Sequence, residues 1–164
     1  MQAEGQTERI TPAEASRHLL TSLMEPGTVL VGVGHILRGD DGVGPALIEA
    51  LHGRCSCLRI DAGTAPENYL GQIVKLKPLS IVFVDAVEMK LPPGEWRVFQ
   101  AQDLAGFGFH THSIPLGLLV AFLRAQTQAP VYVLGIQPRC IALGEPLSLE
   151  VSDALRRIAE IAAI

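Results

Sequence analysis

The chain has 164 residues, 48% of them hydrophobic, and a formal charge of −4 at pH 7. That is enough apolar material for one domain with a real core, and residues 1–164 are read as a single domain. The acidic balance and the lack of a Lys/Arg cluster argue against nucleic acid, whose binding rests on neutralising phosphates. No apolar run approaches the roughly 20 residues that span a bilayer, and the polar opening MQAEGQTERITPAEASRHLL has no signal-peptide core. No membrane insertion and a cytoplasmic location are expected.

Regular elements alternate along the chain. TPAE at Thr11–Glu14 reads as a capping box with Pro12 in the first helical position, predicting a helix to about Met24. TVLVGVG is a short, β-branched, apolar run, a buried strand ending at Gly34. VGPALIEALHG carries a helical stripe of Val43, Leu47, Ala50 and Leu51 closed by Gly53. CSCLRID reads as a second strand, with Cys55 and Cys57 on one side of it. TAPE at Thr64–Glu67 repeats the capping-box pattern ahead of a helix with Leu70, Ile73 and Val74 inward. LSIVFVDA is a third buried strand, VEMKLPPG a loop, and EWRVFQ an alternating edge strand. Ser113 and Pro115 open a helix through Leu116, Leu119, Val120 and Leu123. PVYVLGI is a fifth strand, and LSLEVSDALRRIAEIAAI a closing amphipathic helix. This rhythm predicts an α/β fold with a mostly parallel sheet and helices on both faces. Three cysteines, Cys55, Cys57 and Cys140, make no disulfide framework. Cys55 and Cys57 are expected to pack rather than bind metal, since two thiolates without a second pair make a poor zinc site.

In such sheets ligands bind outside the carboxyl ends of the strands. That selects the Gly34–Asp41 loop, Asp61 after the second strand and Asp85 after the third. GVG after the first strand invites a dinucleotide reading, with Asp61 as the ribose-binding acid. The third glycine of that fingerprint would fall at position 37, which is Leu37. A bound pyrophosphate would also sit beside Asp40 and Asp41. Two unit charges about 5 Å apart at an effective dielectric near 20 repel by roughly 3 kcal/mol. This exceeds what an anion gains at a helix end, so the loop suits a cation. Helix capping accounts for one aspartate, not for two together with Asp85 at the end of an apolar strand. His110 and His112 precede the helix opened by Ser113, where the helix end disfavours imidazolium and favours the neutral, metal-binding form. Two carboxylates and an imidazole suit nickel, zinc or iron better than magnesium. No Ser/His/Asp or Cys/His nucleophile pattern occurs, which leaves water as the nucleophile.

Five stretches, GVGHILRGDDGVGP, DAGTAPENY, IVFVDAVEM, HTHSIPL and VLGIQP, occur in an order and spacing that resembles the [NiFe]-hydrogenase maturation endopeptidases. The formate-hydrogenlyase branch is the most similar. The likeness runs over about residues 28–160 and leaves residues 1–27 as an N-terminal helical extension. The resemblance implies a phosphorylase/hydrolase-like three-layer α/β/α sandwich. Its twisted sheet is five-stranded and mixed, with EWRVFQ as the one antiparallel strand. It implies a metal-dependent, aspartate-rich peptide hydrolase that uses no nucleotide. Such an enzyme removes a C-terminal extension from a hydrogenase large-subunit precursor once nickel has been inserted, and the substrate's nickel is the recognition element. Asp41, Asp85 and His112 are the implied nickel contacts and catalytic groups, with Asp40 and Asp61 in support. Whether the metal polarises the carbonyl or a carboxylate serves as general base stays open. The family turn reads G-x-G-N, but His35 stands in the asparagine position. Its imidazole either replaces the amide's local hydrogen bond or adds a nitrogen to the site. A non-proteolytic nickel or hydrogenase assembly factor and a dinucleotide-dependent oxidoreductase are the alternatives.

Overall fold

The structure is a computed structural model that describes residues 9–104 and 116–163. Helix α1 spans Pro12–Leu23, α2 Val43–Ala50, α3 Leu70–Lys75, α4 Leu116–Thr127 and α5 Leu149–Ala162. Strand β1 spans Thr28–Val33, β2 Leu58–Gly63, β3 Ser80–Ala86, β4 Trp96–Gln100 and β5 Val131–Ile136. The sheet order is β2-β1-β3-β5-β4. Neighbours are parallel except β4, which runs antiparallel to β5. The chain therefore leaves β1 toward one edge and returns past it to β3. Such a reversal opens a crevice at the carboxyl ends of β1 and β3.

Alternate residues of each central strand feed two cores, so the strands read as unbroken apolar runs. Leu30, Val82, Val84, Leu134 and Ile136 pack with Leu20, Leu47 and Ile158 from α1, α2 and α5. Val29, Val31, Phe83, Val131 and Val133 pack with Ile73 and Leu123 from α3 and α4. This is the expected three-layer sandwich with EWRVFQ as its antiparallel edge. The Thr11 capping box forms in both directions. The described part of α4 begins at Leu116, so its expected Ser113 cap lies outside the described residues.

Two local expectations are corrected. Thr64 does not cap a helix. Its segment starts as a one-turn 3-10 helix, Pro66–Tyr69, preceded by Ala65 with no side-chain cap. Proline takes the first helical position in both TPAE and TAPE. It follows Thr11 directly but stands one residue further from Thr64, so the start moves to where alanine is the cap. Cys55 and Cys57 precede β2 rather than lie in it, since that strand begins at Leu58. Cys57 packs into the core with its sulfur 3.6 Å from the Glu25 carbonyl. Burial pushes its thiol up to about 12, so it is a packing residue without thiolate character at neutral pH.

The N-terminal helix has a definite task. α1 packs on β4 and α5, and Leu20 and Leu23 enter the core. Buried Ser16 accepts the Val98 main-chain N–H through its hydroxyl at 3.1 Å. That N–H belongs to the edge strand, where an open amide is a pairing hazard. Ser16→Ala leaves it buried and unpaired. The expected loss is about 1–2 kcal/mol of unfolding free energy, read as a lower urea midpoint with an unchanged slope.

Candidate functional site

The loop between β1 and α2 turns back on itself so tightly that glycine is obligatory at position 34. Its φ is +142°, and a Cβ there would lie 1.8 Å from the Asp41 carbonyl oxygen. The loop closes as a one-turn 3-10 helix, Gly39–Gly42, in which Asp40 and Asp41 are both buried. α2 then starts directly on the strand ends. A Cβ on Gly44 would stand 2.3 Å from the Val33 carbonyl oxygen and 2.4 Å from that of Val84. Asp85 is the next residue after Val84, and the 3-10 turn packs on β3. Asp41 and Asp85, each only 2% exposed, are thereby brought to one rim, at the reversal between β1 and β3.

The two adjacent aspartates differ in what they bind. Asp40 is fully buried. One of its carboxylate oxygens, Oδ2, accepts the amides of Arg139 (2.8 Å) and Cys140 (3.2 Å) and the Ser148 hydroxyl (2.9 Å). Its Oδ1 accepts the Ser148 amide at 2.7 Å. The same hydroxyl caps α5 by accepting from Val151 N–H. Main-chain bonds run parallel to this strap: Asp40 N–H donates to the Cys140 carbonyl, Gly39 N–H to that of Glu145, and Gly144 N–H to that of Leu37. Asp41 instead uses Oδ2 to accept the His35 amide at 2.9 Å. Its Oδ1 is buried with no hydrogen-bond partner among the described residues.

His35 is half-buried, and its Nδ1 accepts the Leu37 amide at 3.1 Å, a local bond of the kind an asparagine amide makes. That bond places any ring proton on Nε2. Asp61 lies exposed within β2 rather than after it as expected, and its Oδ1 accepts the Gly63 amide. It lines a shallow cavity of about 310 Å³ with Ile36, Pro45, Glu49 and Leu147 and with Gly39 and Gly42, the two ends of the turn that carries Asp40 and Asp41. His110 and His112 lie outside the described residues. Among the described residues no group of three or more His, Cys, Asp or Glu side chains is arranged to hold a metal ion.

A family model described as a hydrogenase maturation protease (HycI) matches residues 45–163. The chain belongs to the hydrogenase maturation protease family. The hydrogenase 3 maturation protease of Escherichia coli K12 is 37% identical over 133 residues, 79% of this chain and 85% of the relative. The crystal structure of a [NiFe] hydrogenase maturation protease HycI from Thermococcus kodakarensis KOD1 superposes with a TM-score of 0.80 at 30% identity. That match covers 88% of this chain and 96% of the other. The solution structure of an endopeptidase HycI from Escherichia coli gives 0.74 at 35% identity, covering 81% and 86%. The fold and the family expected from the five stretches are those found, and the enzyme is a protease rather than an oxidoreductase.

One residue of the site region went unread in the sequence. Gln137, at the end of the VLGIQP stretch, is only 4% exposed. Its carboxamide binds the loop that follows Asp85. A buried glutamine directly after an apolar strand was the available signal, since such a group has to be satisfied.

The Asp40 strap carries a stability prediction. Asp40→Ala strands buried donors on two segments and is expected to cost about 3 kcal/mol or more. Asp61→Ala removes one exposed contact and should cost under about 1 kcal/mol. Urea denaturation of the two variants beside the parent measures the difference.

Proposed function

We propose that this protease removes a C-terminal extension from the large-subunit precursor of a [NiFe] hydrogenase, and that nickel already inserted in that precursor is what it recognises. The observation that carries the reading is Asp41: a carboxylate 2% exposed, with one buried oxygen that no described group satisfies. An unsatisfied buried charge is costly. It persists at a strand-end crevice where a visiting cation would satisfy it. Asp85, equally buried on the same rim, supplies the second carboxylate, and His112 is the third group by family resemblance. The nickel is substrate, carried in on the precursor. The acidic rim matches its charge, and mixed oxygen and nitrogen donors match its chemistry.

In this reading the docked nickel fixes the position of the scissile peptide, and water is the nucleophile, as expected for a site without an activated Ser or Cys. Cys140 is exposed and Cys57 belongs to the core. Asp40 holds the turn, Asp61 stands beside it, and His35 keeps its local bond. The working place is the cytoplasm, and the partner is the precursor. Among the described residues no helix is long and apolar enough to cross a membrane.

The test is cleavage of a nickel-loaded precursor. Asp41→Asn keeps the acceptor for the His35 amide and removes only the charge. It and Asp85→Asn are each expected to slow processing by about 100-fold or more, and nickel-free precursor should stay uncut by the parent enzyme. Parent-like rates in both variants would refute the assignment.

A further inference from the structure

The four residues that follow β5 touch both halves of the site. The Gln137 main chain prolongs the sheet, with its N–H donating to the Glu95 carbonyl and its carbonyl accepting from Gly94 N–H. Its side chain is committed elsewhere. Oε1 accepts the Met89 amide at 2.7 Å and the Leu91 amide at 3.3 Å. Nε2 donates to Glu88 Oε2 at 2.9 Å and to the Pro138 carbonyl at 3.3 Å. The loop so held begins two residues after Asp85 and folds over β5, where a Cβ on Gly135 would meet Val87 at 3.0 Å. Gly135 is also the sheet partner of Asp85. Two residues beyond Gln137, the amides of Arg139 and Cys140 hold the Asp40 carboxylate, and Asp41 is its neighbour.

We propose that Gln137 is a positioning residue for the carboxylate pair. Its carboxamide fixes the chain leaving Asp85, while the segment it starts, Gln137–Cys140, fixes the turn that carries Asp41. The chemistry asks for this side chain in particular. The position must accept two amides and donate to a carboxylate at once, which a carboxamide does and an ionised carboxylate or an apolar group does not. The distance between Asp41 and Asp85 then follows from one short rigid segment rather than from two independent loops. In a nickel-recognising site that distance decides how well the ion and the scissile bond are seated.

The proposal rests on the Asp41 and Asp85 assignment above, and the experiment separates the two. Gln137→Met keeps the volume and removes every hydrogen bond of the side chain. With the nickel-loaded precursor, its kcat is expected to fall about 10–100-fold while KM changes by less than about threefold. Ser16→Ala is the control, a buried hydrogen bond lost at the far edge of the sheet, with kcat expected to stay at the parent value. Gln137→Glu restores the acceptor and, when protonated, the donor. Ionised, it faces the Glu88 carboxylate, while Lys90 and Glu95 reach this cluster through main-chain atoms. Its rate relative to the parent is expected to be higher near pH 5.5 than near pH 8, about the range over which a carboxyl beside another loses its proton. A parent-like kcat in Gln137→Met, or a loss matched by Ser16→Ala, overturns the positioning role. Where Gln137→Met does not fold, a Gln137→Glu rate ratio that stays flat with pH overturns it. Parent-like cleavage in both aspartate variants overturns the site assignment instead, whatever Gln137→Met does.

Discussion

The Asp40 carboxylate receives the amides of Arg139, Cys140 and Ser148 and the Ser148 hydroxyl. Four donors fill a buried anion's capacity, and the start of α5 beside it adds the positive end of a helix dipole. This is the interaction on which the rim depends. It fastens the β1–α2 loop to a segment about a hundred residues further along, so that the turn cannot relax when the next residue is left short of partners. Asp41 is that residue, also buried and, among the described residues, satisfied on one oxygen only. A full carboxylate holds the scaffold, and a half-filled one stands beside it.

The same loop shows why a glycine-rich turn is not in itself a phosphate site. Gly34 is required by the Asp41 carbonyl that closes on it, and Gly44 by the two strand carbonyls under the start of α2. Both glycines serve backbone approach. In a dinucleotide site the open backbone faces the ligand; here it faces the chain's own carbonyls, and the side chains left at the mouth are acidic. On the proposed reading, shape is shared between the two kinds of site, and the sign of the charge distinguishes them.

The strands and their order of burial were legible because both faces of the sheet are covered, which leaves a continuous apolar signal in residues 28–33, 80–86 and 131–136. Thr11 was legible as a cap because capping is a local contact. Thr64 misled because a proline shifted by one residue moves the helix start, a competition that the four-letter motif does not encode. The cysteines misled because CSC runs without a break into the strand that begins at Leu58, while the chain there is still arriving from α2. Among the site residues, Asp41 and Asp85 stood out as acids at strand ends. What separates Asp40 from Asp41 was hidden, since Asp40's partners are supplied by main-chain amides at 139, 140 and 148, and amides have no sequence signature. What Gln137 binds was hidden for the same reason: three of its four bonds go to backbone atoms.

On the proposed reading, recognition of a metal-loaded precursor needs little knowledge of the peptide around it. At an effective dielectric near 20, a unit positive charge about 4 Å from one carboxylate is attracted by roughly 4 kcal/mol, and a divalent ion by about twice that. Dehydration of the ion and the acids takes back a large part. Each remaining 1.4 kcal/mol is still about tenfold in affinity, and a peptide without its ion brings only neutral dipoles to the same rim. The discrimination therefore grows with how dry and how fixed the carboxylates are, which is what the Asp40 strap and the two packed cores beneath the rim provide. A looser rim would let water complete Asp41, and the difference between loaded and unloaded precursor would shrink with it.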